Sequence, residues 1–550
     1  RKQRLHSPPL PPPNQIPRRR PPPPPPAAMG DPQFTIGTSM SDILATMERD
    51  GHDPATISLG INAMLCFVYD YLPEPPVSLT ASLSLAGASW VPDGVDRISR
   101  LPDVLLRDII SRLSAKDAAR TAALSSRWPP LWRSAPLALF DINLFPDGDA
   151  SPSPCAVTAA VSGALAAHPG PFRCVHLICS TMDKHRGEMA RWIDILVAKG
   201  VQELVFVNRP WPIDLRLPAT IFSCASLTRL YLGIWRLPDT AAVPRGVSFP
   251  NLRELGLCWN VMEDRDLAFM LERSPVLEFL GIMGSQTGVR VRLVSHSLRC
   301  VQLGFSFMED IDVVDAPRLE RLFQWETVSA VNSRAMANRS FRIKIGHAPN
   351  LRVLGYLQPG EQELVVVAGS KENIVPSVQI LAMEVQFGAR NAVKKVPGFL
   401  RCFPNLETLH VQSPRILEES IGKVNLKFWQ EGGPIECVLR SMKKLFFYEF
   451  RGSRRELTFL KFIAERGRVL EQMVVVVASE YFSSGDNVNA KLKPLANAKW
   501  SSKACKLELF RSPFEEVSGP PYCHKIASDF GFANPFDLQY YSEAEVISLS

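Results

Sequence analysis

The feature that most constrains the fold is an apolar pattern that recurs along the chain from about residue 150. Each unit has an apolar residue, two variable residues, a second apolar residue, one variable residue and a third apolar residue. One such unit is common in half-buried strands, but a long series indicates a repeat architecture. Ten units are present: FRCVHL at Phe172, VQELVF at Val201, LTRLYL at Leu227, LRELGL at Leu252, LEFLGI at Leu277, LRCVQL at Leu298, LERLFQ at Leu319, LRVLGY at Leu351, VQILAM at Val378 and LETLHV at Leu406.

The spacing of the units identifies the type of repeat. Successive units begin between 21 and 32 residues apart, which brackets the period of about 20–29 residues that is typical of leucine-rich repeats. LRELGLCWN also supplies the asparagine of that consensus, Asn260. The phrases FPNL, SPVL, APRL and APNL introduce several units. We therefore expect one short strand per unit, with the strands stacked into a solenoid that the uneven spacing makes irregular.

A different pattern follows Gly432-Gly433. MKKLFFYEF at Met442 predicts a strand, and RRELTFLKFIAER at Arg454 predicts an amphipathic helix that ends at Gly467. LEQMVVVVA at Leu470 predicts a buried strand. Such a strand–helix–strand unit would cap the open end of the solenoid. From about Ala504 the sequence is poorly patterned.

A short helical region precedes the repeats, in the stretch LPDVLLRDIISRLSAKDAARTAALSSRWPPLW. Pro102 suits the first turn of a helix, and Ser114 followed by Asp117 predicts the start of a second helix through residues 118–124. Trp128-Pro129-Pro130 should end that helix, because proline lacks a backbone donor. An apolar stripe on the first helix is predicted by residues that recur every four positions: Leu101, Leu105, Ile109 and Leu113.

This helical region has too little core for its large apolar side chains. Two or three short helices in about 40 residues bury little area and are marginally stable alone. From the residues themselves, two explanations remain open. The helices pack as a hairpin on their own solenoid, or their apolar side chains meet a partner protein.

The charge distribution argues against a broad nucleic-acid surface. Residues 1–28 hold six basic residues, no acid and 12 of the 47 prolines, so we expect an extended or disordered leader. Met29 is a candidate for the biological start. Because the net charge is +7, the remaining chain carries only +1 (7 − 6), too little for a phosphate-binding surface. Residues 29–95 lack a sustained pattern, and we expect them to be mostly flexible.

The sequence predicts a soluble intracellular protein. The run ISLGINAMLCFVY at Ile57 is shorter than the roughly 18 apolar residues that mark a membrane span. The eleven cysteines are scattered, and several lie in apolar runs, as Cys224, Cys258, Cys300 and Cys437 do. This distribution predicts buried reduced thiols and not a disulfide framework.

Motifs of catalysis and metal binding are absent from the sequence. It contains no GxxxxGK[ST] loop, HExxH motif, EF-hand loop or GxSxG elbow. One cluster has metal-ligating residue types, but two of its members lie in a predicted strand and no CxxC pair is present: His168, Cys174, His176, Cys179 and His185. We therefore expect neither a metal, nor a cofactor, nor catalysis by the chain itself.

Two segments of the sequence resemble known domains. The region from Asp96 to Phe140, with its LP lead, spaced aliphatic residues and SSRWPPLW ending, resembles an F-box. The region ECVLRSMKKLFFYEFRGSRRELTFLKFIAERGRVLEQMVVVV at Glu436 is similar to the FBD domain. With the repeats between them, the chain resembles the plant F-box/LRR/FBD proteins.

The resemblance implies an α/β fold with a small helical F-box, an irregular leucine-rich-repeat solenoid and a strand–helix–strand FBD-like domain at its end. The expected domains are residues 96–140 for the F-box, 150–430 for the repeats and 431–503 for the FBD-like domain. A leader (1–28), a poorly patterned segment (29–95) and a C-terminal tail (504–550) complete the chain.

The resemblance also implies a function. F-box proteins are non-catalytic substrate-recognition subunits of Skp-cullin-F-box ubiquitin ligases, which work in the nucleus and the cytoplasm. They dock on a Skp-type adaptor, which links them to the cullin–RING ligase. By motif match the adaptor contacts are Leu101 and Pro102. The contact is shared with internal packing by Leu105, Ile109, Leu113, Leu124, Trp128, Leu131 and Trp132.

The sequence leaves the target of such a receptor open. A protein target would lie on the repeats or the FBD-like domain, but no target-contact residue can be named. Pro129-Pro130 departs from the F-box pattern, which more often has a charged or small residue after the tryptophan. An alternative function is a protein- or ligand-binding scaffold without a ligase role. Nucleic-acid binding through the leader is the weaker alternative, and no membrane partner is expected.

Overall fold

One continuous sheet of parallel strands forms the main body of the molecule. The computed structural model describes residue 51 and residues 64–75, 96–144, 154–179, 186–208, 215–244, 246–285, 287–304, 308–325, 341–360, 362–366, 374–414, 429, 433–478, 485–511 and 524–536. Within these residues the sheet has fourteen strands, and each neighbouring pair that it contains is parallel. The predicted leader, residues 1–28, lies outside the described residues.

Helices and strands are numbered in chain order. The helices are α1 (within residues 64–71), α2 (Asp103–Ser111), α3 (Ala115–Thr121), α4 (Trp128–Ser134), α5 (Pro154–Ala167), α6 (Arg186–Ala198), α7 (Asp264–Glu272), α8 (Arg390–Arg401), α9 (Glu436–Arg440), α10 (Arg454–Arg466), α11 (Gly485–Ala496) and α12 (His524–Ser528).

The strands are β1 (Leu137–Phe140), β2 (Phe172–Leu177), β3 (Glu203–Val207), β4 (Arg229–Gly233), β5 (Glu254–Cys258), β6 (Phe279–Met283), β7 (Val289–Val294), β8 (Cys300–Gly304), β9 (Met308–Asp315), β10 (Arg321–Trp325), β11 (Phe341–His347), β12 (Val353–Leu357), β13 (Gln362–Val366), β14 (Ile380–Glu384), β15 (Thr408–Gln412), β16 (Lys444–Phe450), β17 (Gln472–Val477) and β18 (Lys506–Arg511).

All ten sequence units form strands of the large sheet, so the prediction of one strand per unit is confirmed. In most units the last two apolar residues point to the same side, because successive side chains of a strand alternate between faces. The unit at Leu351 is an exception, because the register shifts after Leu354 and Tyr356 lies on the opposite face. In β5 the last two apolar residues are Leu255 and Leu257, both buried in the main core. Leu255 is in register with Leu230 of β4 and Leu280 of β6. The core is therefore a row of aliphatic side chains that continues from strand to strand.

A second, four-stranded sheet lies in the middle of the repeats and was not predicted. Its order is β13-β11-β9-β7, again with parallel pairs. The units at Leu277, Leu298 and Leu319 are only 21 residues apart (298 − 277 and 319 − 298). Strands β7 and β9 return within these short units. Strands β11 and β13 return within longer units, of 32 residues (351 − 319) and 27 residues (378 − 351), whereas units of similar length elsewhere return through α6, α7 and α8. Unit length alone therefore does not decide between a returning strand and a helix.

The C-terminal strand–helix–strand unit is confirmed as β16, α10 and β17, and Gly467 is the C-cap of α10. The unit does not close the solenoid. Instead β16 pairs with β15 and β17 pairs with β18, so the unit extends the same sheet. The prediction that the tail from Ala504 is unpatterned missed β18, in which Lys506, Glu508 and Arg511 interrupt the apolar residues. Charged residues on such an end strand discourage pairing with another chain.

The helical region before the repeats is joined directly to the sheet. Helices α2, α3 and α4 lead into β1, which is the first strand of the large sheet and pairs with β2. Ser114 is the N-cap of α3, and its hydroxyl accepts a hydrogen bond from the Asp117 amide, as predicted. Leu106 and Ile110 of α2 belong to the same core cluster as the leucines of the repeats.

Buried asparagines connect consecutive units. The Asn260 side chain accepts from the Trp235 amide at 2.8 Å and donates to the Leu232 carbonyl at 2.8 Å. Asn208 donates in the same way to the Ile234 carbonyl at 3.0 Å. Both side chains are almost fully buried. They satisfy backbone groups at the ends of the strands, which would otherwise be buried without partners.

We expect Asn260→Ala to destabilise the protein by about 2–4 kcal/mol, because it leaves a buried amide and a buried carbonyl unsatisfied. The midpoint of urea unfolding, followed by circular dichroism, measures this loss. The matched control is Asn251→Ala, which removes one exposed hydrogen bond to the Ala225 carbonyl and should cost about 1 kcal/mol or less. Equal midpoints for the two variants would contradict the role of Asn260.

Candidate functional site

Helix α2 has two apolar faces, and only one of them packs against the molecule. Leu106 and Ile110 are fully buried in the main core, four residues apart. On the other side Val104, Leu105 and Ile109 are 70%, 49% and 40% exposed. Ile98 before the helix and Leu124 after α3 are also exposed. We call Ile98, Val104, Leu105, Ile109 and Leu124 the exposed apolar set.

Arg127 fixes the segment that leads into α2. Its guanidinium forms an ion pair with Asp103 at 2.6 Å and donates to the Leu101 carbonyl at 2.7 Å. It also donates to the Ser99 carbonyl. One side chain at the start of α4 therefore holds the backbone before Pro102 and the Asp103 side chain after it. Arg127 was not among the predicted site residues, although an arginine next to Trp128 offers several donors for such contacts.

The large sheet has a second face, opposite the leucine core. Several units place a glycine or alanine on this face, which leaves space between larger aromatic side chains. In each unit the residue between the last two apolar positions points to this face. Across seven strands these residues are Tyr231, Gly256, Gly281, Phe323, Gly355, Ala382 and His410.

Helix α1 covers the N-terminal part of the second face. Val68, Tyr71 and their apolar neighbours on the helix pack with residues of β3, β4 and β5. A Cβ atom at Gly281 would collide with the Tyr71 hydroxyl, so the glycine makes room for that ring. Residues 64–72 lie in the segment 29–95, for which mostly flexible structure was expected, and in the structure they form α1 and the residue after it. Their apolar run packs on the sheet, and no helix in the described ranges is long and apolar enough to cross a bilayer.

Residues 524–536, the C-terminal segment, cover the part of the second face around β8, β10, β12 and β15. Phe536 is fully buried there. Its ring lies 5.6 Å from that of Phe323, 5.3 Å from that of Tyr356 and 5.2 Å from that of His410, measured between centroids. The two segments from opposite ends of the chain meet in an ion pair between Glu74 and Lys525. Neither covering segment was predicted from the sequence.

His410 is the most strongly perturbed imidazole on this face. Burial, opposed by the Asn534 hydrogen bond and assisted by the nearby charge of Lys444, lowers its pKa from 6.5 to about 3. The Asn534 amide donates to Nε2 at 3.2 Å, so Nδ1 carries the proton and donates to the Tyr448 hydroxyl at 2.9 Å. Its ring stacks on Phe446 with centroids 4.6 Å apart. His410 is therefore a neutral packing residue that connects β15, β16 and the C-terminal segment.

Three family models match successive parts of the chain. The F-box domain model matches residues 98–139, which include α2, α3 and α4. The model of the LRR repeats of the FBD-associated F-box protein At5g56370 matches residues 189–411, and the FBD model matches residues 430–475. The chain belongs to the plant F-box/FBD/LRR family. The outer limits of the predicted domains stay predictions.

Relatives in Arabidopsis thaliana are named after the same kinds of domain. The F-box/FBD/LRR-repeat protein At5g22610 is 24% identical over 81% of this chain and 96% of its own length. The F-box/FBD/LRR-repeat protein At1g13570 is 24% identical over 69% of this chain and 91% of its own length. F-box/LRR-repeat protein 13 is 31% identical over 42% of this chain and 52% of its own length. The similarity to the first two extends over most of both chains.

The structure divides the predicted adaptor-contact residues of the F-box into three groups. Pro102, Leu105, Ile109 and Leu124 are exposed. Leu101, Leu113 and Trp132 are half-buried and pack against the core, whereas Trp128 and Leu131 are buried in it. These last two therefore belong to the internal packing of the F-box. The stripe Leu101, Leu105, Ile109 and Leu113 is not the buried face of α2. Ile98 and Val104 are exposed apolar residues that the sequence reading missed.

The proline pair of the F-box starts a helix, which corrects its expected role as a helix end. Helix α3 already ends at Thr121, and Pro129 and Pro130 lie in the first turn of α4. The backbone amides of a first turn have no partner within the helix, so proline loses nothing there. The missing backbone donor of proline disrupts the interior of a helix but is tolerated in its first turn.

The histidines and cysteines before and on β2 serve packing. The His168 Nε2 lies 3.1 Å from the Ala135 carbonyl, and the ring packs edge-on against Trp132 and Phe172. His176 packs edge-on against Phe140, and burial lowers its pKa to about 4. His185 lies outside the described residues. Among the residues that are described, no three or more His, Cys, Asp or Glu side chains are grouped to hold a metal ion.

None of the cysteines in the described residues is part of a disulfide, as the sequence predicted. Cys224, Cys258, Cys300 and Cys437 are buried. Burial raises the pKa of the Cys300 and Cys437 thiols to about 12. Because the thiolate is the reactive form, these side chains behave as small apolar residues of the core.

We expect Leu106→Ala and Leu105→Ala to have very different effects on stability. Leu106→Ala creates a cavity in the core and should destabilise the protein by about 2–5 kcal/mol. Leu105→Ala trims a half-exposed side chain and should cost less than about 1 kcal/mol. Thermal unfolding of the two variants measures the difference. A larger loss for Leu105→Ala would contradict the assignment of the two faces of α2.

We expect His410 to make the protein less stable in acid. Its pKa in the folded protein, about 3, lies below the ordinary histidine pKa of 6.5, which applies to the unfolded chain. Between pH 3 and pH 6.5 the unfolded chain therefore binds more protons than the folded protein. Its stabilising contribution is therefore complete above pH 6.5 and falls by about 1.4 kcal/mol per pH unit below it. His410→Phe should remove this dependence between pH 6 and pH 4, as measured by urea unfolding. Tyr448→Phe keeps the imidazole and should retain it. An unchanged slope in His410→Phe would show that another group causes it.

Proposed function

We propose that the chain is the substrate-recognition subunit of a Skp-cullin-F-box ubiquitin ligase that acts in the nucleus or cytoplasm. F-box and LRR domains suggest such a subunit in general. The observation that carries the proposal is the exposed apolar set on a helical region whose opposite face is anchored in the core. The F-box docks the Skp-type adaptor through this set and through Pro102.

Burial of the exposed apolar set in a complex would release enough free energy to support docking. Fully burying a large aliphatic side chain contributes roughly 1.5–3 kcal/mol, and the set contains five such residues. Five exposed large aliphatic residues within residues 98–124 differ from the isolated exposed apolar residues that are normal on protein surfaces. The two residues that share one side of α2 at a spacing of four, Leu105 and Ile109, are the expected centre of the contact.

The F-box is connected to the repeats through a shared strand, and this connection sets how a docked chain is oriented. Because β1 is both the end of the F-box and the first strand of the sheet, docking fixes the orientation of the whole solenoid relative to the ligase. A target bound to the repeats or the FBD strands is then held at a defined distance from the site of ubiquitin transfer. The chain contributes position, and the other subunits carry out the chemistry.

The double variant Leu105→Ala/Ile109→Ala tests the proposal. We expect it to reduce co-purification of the Skp-type adaptor and the cullin by at least about tenfold, because two central apolar contacts are truncated. The melting temperature should stay close to that of the unmodified protein.

The matched control truncates apolar residues that are exposed elsewhere, Val294 and Val469, which are 44% and 40% exposed. Val294→Ala/Val469→Ala should bind the adaptor normally. If the unmodified protein recovers no adaptor or cullin, the ligase role is wrong and a scaffold function takes its place. If the F-box double variant binds as well as the control, the docking face is wrong.

A further inference from the structure

The C-terminal segment is bound to the second face mainly through its backbone. Arg321 on β10, which is almost fully buried, donates to the carbonyls of Ala527 at 2.8 Å and Asp529 at 3.0 Å. It also donates to the carbonyl of Phe532. The Cys300 thiol points to the Ala527 carbonyl as well, at 3.7 Å. Contacts to main-chain carbonyls do not depend on the side chains of the bound segment.

Two phenylalanines of the C-terminal segment supply the specific contacts. The Phe530 ring is flanked by the guanidinium groups of Arg299 and Arg321, 3.7 Å and 4.8 Å from its centroid. Phe536, six residues later, enters the recess between Phe323, Tyr356 and His410. A Cβ atom at Gly355 would lie 2.8 Å from the Phe536 ring, so a glycine in the repeat creates this recess.

The surface that receives the segment does not need the segment in order to form. Its residues are Arg299, Arg321, Phe323, Gly355, Tyr356, Ala382 and His410, and we call them the tail seat. Most of them lie on β10, β12, β14 and β15, whose register the leucine core on the other face fixes. Arg299 is held by an ion pair with Glu320 at 2.7 Å. The strands that carry the seat are therefore held in place by contacts that do not involve the segment.

The C-terminal segment is held by side-chain contacts and not by regular secondary structure. Within the described residues no strand pairs with it, and its only helix is the five-residue α12. The ion pair of Lys525 with Glu74 is exposed on both sides, and such pairs are screened by solvent and salt. Twelve residues, 512–523, separate it from β18. A chain of that length reaches up to about 40 Å, enough for the segment to leave while β18 stays paired.

We infer that the tail seat is a docking site for a peptide segment of a target protein, and that the chain's own C-terminal segment occupies it until such a target displaces it. The target segment carries two aromatic side chains six residues apart. The first lies between two guanidinium groups, and the second enters an apolar recess and is uncharged. The biological meaning of this site as a substrate site rests on the proposed ligase function, but the binding event does not.

Displacement is a competition between a tethered and a free peptide. A segment joined to its site by a short tether competes at an effective concentration on the order of millimolar. A target must therefore bind better than the tail, through closer aromatic contacts or a second contact elsewhere on the repeats. The tail in this way raises the affinity that a target needs and excludes weak binders from the seat.

A labelled peptide tests the inference on the full chain. The probe is a fluorescein-labelled peptide with the sequence of residues 524–536, and fluorescence anisotropy measures its binding. Phe530→Ala/Phe536→Ala weakens the internal competitor, so we expect this variant to bind the peptide at least about tenfold more tightly than the unmodified chain. Adding Arg321→Ala should cut that binding at least about tenfold again.

The controls separate loss of folding from loss of the site. Phe67→Ala truncates a phenylalanine that is 49% exposed on α1 and should bind the peptide like the unmodified chain. Phe530→Leu keeps an apolar side chain but removes the ring between the arginines, and it should give an intermediate gain in a well-folded protein. A peptide with both phenylalanines replaced by alanine should not bind any of these proteins.

The outcomes decide between the inference and its alternative. Equal peptide binding by the unmodified chain, Phe530→Leu and Phe530→Ala/Phe536→Ala would overturn it and show that the segment is a permanent part of the fold. Adaptor co-purification, measured on the same samples, reports separately on the ligase role. Peptide binding without adaptor recovery would support the tail seat and refute the ligase function. Adaptor recovery without peptide binding would support the ligase function and refute the tail seat.

Discussion

The row of aliphatic side chains that crosses the large sheet is the constraint on which the rest of the structure depends. Leu230, Leu255 and Leu280 are in register, and the row continues through Leu381 and Leu409 into Leu445 of the FBD strands. No unit can bury these side chains alone, because each strand is only about five residues long. Stacking buries them, and one core cluster consequently extends from Leu106 in the F-box to Leu509 in β18. The three domains of the sequence are therefore one physical body.

A sheet of this kind has two apolar faces that must be covered and two end strands whose free backbone groups could pair with another chain. The helices and the small sheet cover the leucine face. At the N-terminal end the F-box donates β1 to the sheet, and at the C-terminal end β18 carries charged residues. The second face is apolar as well, and segments from both chain ends cover part of it. Glycines at positions 281 and 355 make the recesses that receive Tyr71 and Phe536. Glycines in the repeats therefore help to determine where the covering segments bind.

The F-box repeats the same division of faces on a smaller scale. Leu106 and Ile110 attach α2 to the core, and Leu105 and Ile109 remain exposed one residue earlier in each turn. The two explanations that periodicity left open are therefore both correct for different residues of one helix. One face packs on the solenoid, and the other is available to a partner. The same separation recurs in the repeats, where the leucine face gives stability and the second face offers the tail seat.

Much of the fold follows from the local sequence. The ten strands, the N-cap at Ser114 and the strands and helix of the FBD unit are set by apolar spacing and by residues that cap or break helices, which act over a few neighbours. These features are predictable because each depends on the alternation of side chains along one strand or one helical turn.

The tertiary structure alone decided which apolar residues are buried and which surfaces remain. Both pairs on α2, Leu105 with Ile109 and Leu106 with Ile110, have the same spacing, so only the direction of the solenoid core distinguishes them. Tyr71 meets Gly281, and Phe536 meets Gly355, across about 200 residues of chain. No local pattern encodes such contacts, because they arise only when the stacked strands bring distant units together on one face. The sequence by itself therefore determined the repeating unit, whereas the assembled sheet determined the docking face of the F-box and the tail seat.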